Sequence, residues 1–329
     1  MRVAIPAETG QGERRVAVVP QLVPRLTGVG LEVVVESGAG RASYASDDAY
    51  RAAGATVVES DVVRDADVVL AVGPLEPDRA RTMRRGAILV GLLAPSSNPS
   101  LVRALVDSGV TSFAMELVPR ITRAQSMDAL SSQALVAGYR AALVAADRLP
   151  RTFPLFITAA GTMPPAKVLV LGAGIAGLQA IATARRLGAV VVAYDVREAA
   201  AEEVRSLGAD FLSLHLETLE GAGGYAREMT VDRARRQQDL LTPYVADANV
   251  LITTAAVPGR PAPVLVTSEM IAAMRPGSVV VDLAAEFGGN CEPTRPGQEI
   301  IYHDVVVWGE LNVASQLPVH ASLLYSGNV

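Results

Sequence analysis

The sequence predicts an α/β chain of two doubly wound parallel sheets, joined by long helices with a cleft between the two domains. Three observations carry this expectation. Short apolar runs rich in valine and isoleucine alternate with helical segments along almost the whole chain, the pattern of strands that cross over to parallel neighbours. One run leads directly into three glycines spaced G-x-G-x-x-G. Half of the 329 residues are apolar, enough for two cores in a chain too long for one domain.

In chain order, runs at 3–6, 32–36, 56–58, 68–72, 87–92 and 111–114 are expected as strands of a first domain. Amphipathic helices at 21–28, 47–53 and 99–107 lie between them, and no glycine fingerprint accompanies them. Residues 124–148, rich in alanine and leucine and free of proline, predict one long helix leading to the second domain. Pro150, Pro154, Pro164 and Pro165 mark the crossing. The first domain is set at 1–125 plus 310–329, the second at 126–309.

The second domain opens with a strand at 168–171, a helix at 175–187 stopped by Gly188, and a strand at 190–194 that ends on Asp195. A helix near 198–206, a short strand at 211–212, a loop with Gly221, Gly223 and Gly224, and a polar helix over 231–244 follow. Strands at 249–253 and 278–283 flank a helix at 268–274, with a turn at Pro276 and Gly277. A hairpin is expected over 300–308, with His303 and Asp304 at its turn, and a last helix starts at 321.

The glycine turn carries chemistry. Gly172 allows the tight turn, Gly174 lets backbone amides approach a pyrophosphate, and Gly177 lets helix pack on strand, the Rossmann-like arrangement. The helix then aims its N-terminal amides and dipole at the phosphates. Asp195 suits an adenosine ribose and favours NAD over NADP, because a 2′-phosphate would meet its carboxylate. Arg197 softens that preference.

Composition narrows the remaining classes. A net charge of −5, without a basic cluster interleaved with aromatics, argues against nucleic acid. Cys291 stands alone, so no internal disulfide can form, and it reads as a small buried or partly exposed thiol in a reducing compartment. Lys167 is the only lysine. No metal site is expected, and no segment reads as spanning a bilayer. The first ten residues hold an apolar segment too short for a signal peptide.

The segment RITRAQSMDALSS, 120–132, gathers Arg120, Arg123, Gln125, Asp128 and Ser131. Asp128 and Ser131, three apart, share a helix face, and Gln125 lies a turn earlier. Amide, carboxylate and hydroxyl suit a nicotinamide carboxamide, which both donates and accepts. The same residues also suit an N-terminal capping cluster with a solvated face.

RAQSMD, LSSQ, AGYRA, TAAGT, KVLVLGAG, IAGLQAIATA, RLGAVV, DVR, AGGYA, TTA, VDLAAE and GGNCE together resemble the NAD(H)-binding component, domain I of the alpha subunit, of proton-translocating NAD(P) transhydrogenase, over essentially the whole chain. The resemblance implies that Arg120, Gln125, Asp128 and Ser131 serve the nicotinamide side, with Gln125 near the reacting ring. It places Gly172, Ala173, Gly174 and Ile175 on the phosphates and Asp195, Val196 and Arg197 at the adenosine ribose. Gly224 and Tyr225 match a mobile loop, and Gln237 and Ala256 further cofactor contacts. Ala256 stands where a bulkier apolar residue is expected.

The resemblance further implies NADH presented for direct hydride transfer to NADP⁺ on a partner domain, a separate membrane proton-channel subunit, a homodimer, and a cytoplasmic location peripheral to the inner face of the membrane. Alanine dehydrogenase is the nearest rival by fold. Oxidising an amino acid moves a proton as well as a hydride, so such an enzyme needs an acid-base group. Arg15 matches its carboxylate clamp, but the lysine expected near 71–73 and the histidine expected near 94 are absent, and position 286 is Glu286 instead of aspartate. His215, His303 and His320 lie elsewhere. Arg15 and Glu286 are therefore expected to be structural, and a catalytically silent NAD(H)-binding paralogue is the remaining alternative.

Overall fold

The computed structural model describes residues 1–214, 216, 231–256 and 260–329. Two compact units divide the chain, one made of Met1–Gln133 with Ala314–Val329 and the other of Ala134–Val313.

The first unit holds six strands: β1 (Arg2–Ile5), β2 (Glu32–Glu36), β3 (Thr56–Val58), β4 (Val68–Leu70), β5 (Ile88–Gly91) and β6 (Thr111–Ala114). They pair in parallel in the order β3-β2-β1-β4-β5-β6. Its helices are α1 (Val23–Thr27), α2 (Asp47–Ala52), α3 (Pro77–Arg81) and α4 (Pro99–Ser108). Both faces of the central strands β1, β2 and β4 are covered, which is why they are continuous apolar runs, while β6 at the edge is largely exposed. Val3, Ile5, Val33 and Val35 enter the core on one face, while Ala4, Val34 and Val69 enter the core on the other.

Two sequence expectations change here. The helix expected at 21–28 is a 3-10 turn, Pro20–Leu22, that runs into the short α1. α3 was not anticipated, although Pro77 at its first turn is a recognised start signal.

The long helix expected over 124–148 is broken. A 3-10 turn, Thr122–Met127, precedes α5 (Ala129–Arg148), and Asp128 between them leaves helical geometry at φ −77° and ψ 80°. A carboxylate that caps a helix must sit outside it, so Asp128 ends one element and starts the next.

The second unit takes α5 from Ala134 onward and then a separate hairpin, β7 (Phe156–Thr158) and β8 (Gly161–Met163), in a stretch expected to be loop. Its main sheet contains β9 (Lys167–Leu171), β10 (Val190–Tyr194), β11 (Asp210–Phe211), β12 (Val250–Thr253), β13 (Val279–Asp282), β14 (Gln298–Tyr302) and β15 (Val305–Gly309), in the order β11-β10-β9-β12-β13-β15-β14. All pairs are parallel except β14 with β15. That exception is the expected hairpin: His303 and Asp304 both adopt positive φ, at 47° and 60°, which matches the twist of a two-residue turn.

α6 (Ile175–Arg186), α7 (Ala200–Ser206), α8 (Val231–Asp247) and α9 (Ser268–Ala272) complete this unit, and α10 (Pro318–Asn328) returns the chain to the first. α10 starts three residues earlier than expected, with proline at its first turn. α5 and α6 approach closely because position 138 is glycine; a Cβ there would lie 2.0 Å from the carbonyl oxygen of Ala176. Among the described residues, no helix is long and apolar enough to cross a membrane.

Candidate functional site

In the second unit the strand order reverses between β9 and β12, and the crevice outside their C-terminal ends is where an open α/β sheet holds ligands. The glycine turn lies there. Gly172 has φ 101°, and a Cβ on it would lie 2.6 Å from Thr254 Oγ1. A Cβ on Gly177 would lie 1.9 Å from the Gly172 carbonyl oxygen, so the start of α6 can lie against the turn only with glycine at that position. Gly174 is different: it is exposed, and a Cβ there would meet nothing within 4 Å.

Gly174 is also the N-cap of α6, whose start has neither a side-chain cap nor an acid in its first turn. An uncapped helix start behind an exposed glycine fits a pyrophosphate, which the backbone amides and helix dipole would hold. Ile175 is exposed beside it, while Ala173 is buried.

Asp195 ties the ribose side to the turn. Its Oδ2 accepts from the Ala173 amide at 2.8 Å, and its Oδ1 accepts from the Arg197 amide at 2.8 Å and from Arg197 Nε at 2.9 Å. The Arg197 guanidinium also reaches Oδ2 at 3.0 Å. The carboxylate expected to meet a ribose is thus already oriented by the turn and by its own arginine.

Tyr194, Asp195, Val196, Leu212 and Arg233 line a small pocket beside it. Gln237, 1% exposed, works behind that wall: its Oε1 accepts from Tyr194 Oη and from Arg233 Nη1, each at 3.1 Å. Burial is the main cause that pushes the Tyr194 phenol up.

Thr254 was missed by the sequence reasoning. Its hydroxyl donates to the Gly172 carbonyl at 3.0 Å, and its amide extends the ladder to the Leu171 carbonyl at 2.9 Å. The available signal was the TTA run at the end of the strand expected at 249–253. Ala256 follows on the same limb and is half-buried. Gly224, Tyr225 and His215 lie outside the described residues.

In the first unit, Asp128 caps α5: Oδ1 accepts from the Ser131 amide at 2.9 Å and Oδ2 from Ser131 Oγ at 2.6 Å. Arg120 Nε stands 3.7 Å from Asp128 Oδ2. Arg120, Asp128 and Ser131 therefore form one connected set, and the capping arrangement suggested by residue types is present. Gln125 is exposed on the 3-10 turn, off the axis of α5. Asn328 buttresses the segment by donating to the Ser126 carbonyl at 2.8 Å and accepting from Ser132 Oγ at 2.7 Å.

Arg15 is 8% exposed and engaged: Nη2 meets Glu13 Oε2 at 2.6 Å, Nε meets Glu13 Oε1 at 2.8 Å and Nη1 meets Gln133 Oε1 at 2.9 Å. Glu286 is exposed and accepts from the Asn312 amide. Lys167 begins β9, at the edge opposite the glycine turn, and pairs with Asp247 at 2.6 Å. His303 sits in the turn into β15, which runs parallel to β13, so it too occupies the far edge. His320 is exposed on α10. Burial pushes the Cys291 thiol well up, with the charge of Asp282 adding to it, so this cysteine is a poor nucleophile.

Comparison with known proteins agrees with this geometry. The family domain described as Alanine dehydrogenase/PNT, N-terminal domain, matches residues 4–137, and Alanine dehydrogenase/PNT, C-terminal domain, matches residues 141–329. A chain of NAD(P) transhydrogenase subunit alpha from Rhodospirillum rubrum is 47% identical over 339 residues, covering 100% of this chain and 88% of its own length. Alanine dehydrogenase of Mycobacterium tuberculosis is 35% identical, over 97% of this chain and 82% of its own length. Among solved structures, transhydrogenase from Sinorhizobium meliloti matches with a TM-score of 0.90 at 46% identity, covering 100% of this chain and 92% of that one. From its sheet order, its glycine turn and these matches over both halves, the chain belongs to the alanine dehydrogenase/PNT family.

Proposed function

We propose that this chain is the NAD(H)-binding component of a proton-translocating transhydrogenase, and that it presents NADH for direct hydride transfer to NADP⁺ held by a partner domain. The observation that carries the binding half is the exposed Gly174 before the uncapped start of α6, with Asp195 locked to the turn by the Ala173 amide. Gly172, Ala173, Gly174, Ile175 and Gly177 take the pyrophosphate. Asp195, Val196 and Arg197 take the adenosine ribose, with Gln237 and Ala256 as supporting contacts. Arg120, Gln125, Asp128 and Ser131 serve the nicotinamide end. Gly224 and Tyr225, which lie outside the described residues, complete the set.

Bound NADH supplies a hydride from its C4 carbon to the C4 of NADP⁺, an exchange that releases no proton and needs closeness and orientation. The residues present suit that chemistry better than amino-acid oxidation. Lys167 and His303 occupy the sheet edge away from the glycine turn, and Arg15 is already engaged by Glu13 and Gln133. The chain is active only with its partner, forms a homodimer, and sits at the cytoplasmic face of the membrane through a proton-channel subunit.

The test mixes the purified chain with an NADP(H)-binding transhydrogenase domain and follows hydride exchange between the two nucleotides. Transfer supports the reading. No transfer, together with oxidation of alanine by NAD⁺, replaces it with an amino-acid dehydrogenase; binding with neither reaction replaces it with a silent NAD(H)-binding paralogue.

A further inference from the structure

Asn290, 0% exposed, is a buried amide to which none of the roles above is assigned. It lies in the turn Gly288, Gly289, Asn290, Cys291 after β13. Its Oδ1 accepts from the Ala255 amide at 3.0 Å, and its Nδ2 donates to the Ala255 and Pro263 carbonyls, each at 2.8 Å. One side chain thus pairs both peptide groups of Ala255, as a neighbouring strand would, and holds a second limb at Pro263. The carbonyl of Asn290 grips that second limb again, accepting from the Leu265 amide at 2.8 Å and the Val266 amide at 3.1 Å.

Asn290 is itself held firmly. Asp282 Oδ2, at the end of β13, accepts from the Asn290 amide at 2.7 Å, the Cys291 amide at 3.0 Å and Thr294 Oγ1 at 2.7 Å. On its other side the first limb presses on the glycine turn: the Ala255 nitrogen lies 3.3 Å from where a Cβ on Gly172 would sit, and Thr254 Oγ1 donates to the Gly172 carbonyl. Asp282, Asn290, Ala255 with Thr254, and Gly172 therefore form one continuous line of contacts from β13 to the turn.

We propose that Asn290 is a positioning residue for the nicotinamide half of the dinucleotide, acting through Thr254 and Ala255 on the β12 wall of the crevice. The proposal rests on the dinucleotide reading above. Asp195 follows β10, on one side of β9, so an extended dinucleotide whose ribose meets Asp195 lays its other half toward β12, on the opposite side. The wall there is the limb Thr254, Ala255 and Ala256. Only a planar amide donates and accepts in the geometry needed to match a peptide group on both sides. An aspartate at 290 would keep the acceptor but set a carboxylate against two carbonyl oxygens.

The experiment titrates the full chain and its variants with NADH and, separately, with AMP, which lacks the nicotinamide half of the dinucleotide. Asn290→Asp is expected to weaken NADH about tenfold or more, the effect of leaving buried carbonyls unpaired, while AMP affinity stays within about twofold. Thr254→Val, which removes only the hydroxyl on the Gly172 carbonyl, is expected to weaken NADH by about threefold to tenfold, and Thr254→Ser to restore it. Equal losses for NADH and AMP, or unchanged NADH affinity, overturn the proposal. If Asn290→Asp does not fold, the two threonine variants decide on the same criterion. A wild-type chain that binds no NADH overturns the dinucleotide reading itself.

Discussion

The two sheets of this chain share a plan and differ at one point. In both, the order around the reversal is third, second, first, fourth, fifth strand, and in both an acid at the end of the second strand accepts from the second residue past the first. Glu36 accepts from the Ala7 amide at 2.9 Å and meets Arg79; Asp195 accepts from the Ala173 amide at 2.8 Å and meets Arg197. The difference is the next residue. After Ala173 comes Gly174, exposed with nothing in front of it; after Ala7 comes Glu8, whose carboxylate accepts from Val72 at 2.6 Å and Gly73 at 3.1 Å across the reversal. One sheet leaves its crevice open to an anion, and the other fills it with a carboxyl group of its own. A shared strand order therefore does not make a binding site; the side chain at a single turn position decides.

Gly177→Ala tests the open crevice with the largest expected effect. The added Cβ would fall 1.9 Å from the Gly172 oxygen, so α6 must move off the turn. NADH affinity measured by fluorescence titration should fall by at least about a hundredfold, about 2.7 kcal/mol. A variant that binds NADH normally would falsify the role given to this turn.

The closed crevice is tested by pH. Burial raises Glu8 to about 7, outweighing its backbone hydrogen bonds, while in the unfolded chain it titrates near 4.5. The folded state then holds a proton that the unfolded state releases between those values, so stability falls as pH rises from about 4.5 through about 7. The loss is on the order of 3 kcal/mol. Urea midpoints at pH 5 and pH 8 measure it, and Glu8→Gln should flatten the difference; a wild-type profile already flat over that range rejects the explanation.

The paired acids sharpen the contrast. Asp195→Asn should weaken NADH about tenfold and narrow the preference for NADH over NADPH, because the charge that repels a 2′-phosphate is gone. Glu36→Gln should leave both affinities unchanged and lower stability by about 1 kcal/mol. Matching effects on nucleotide binding from the two substitutions would erase the distinction between the sheets.

Tyr325→Phe has the smallest expected effect. The Tyr325 hydroxyl donates to the Ala71 carbonyl at 2.7 Å, beside the closed crevice. Its loss should cost about 1 kcal/mol in denaturant unfolding, with NADH titration unaltered.

The central strands were legible because buried parallel strands are apolar on both faces, so 32–36, 168–171 and 249–253 stand out from polar surroundings. The glycine turn was legible because Gly172 and Gly177 answer to a positive φ and a close approach that other residues do not meet. The hairpin β7 and β8 was not, since its exposed residues carry no burial pattern. The break at Asp128 was hidden by good helix formers on both sides, and only the reach of its carboxylate to Ser131 reveals it. Thr254 and Asn290 act through single polar contacts between segments far apart in the chain, which periodicity cannot report. No spacing or motif marks Glu8, whose partners Val72 and Gly73 are brought to it only by the fold.

Lys167 has a practical consequence. As the only lysine, with its amine half exposed beside Asp247 and the crevice at the other end of its strand, it is a single-address handle for amine-directed labels. Such a reagent has one lysine to meet in these 329 residues. A fluorophore or surface tether attached there reports on the protein from the end of β9 opposite the glycine turn.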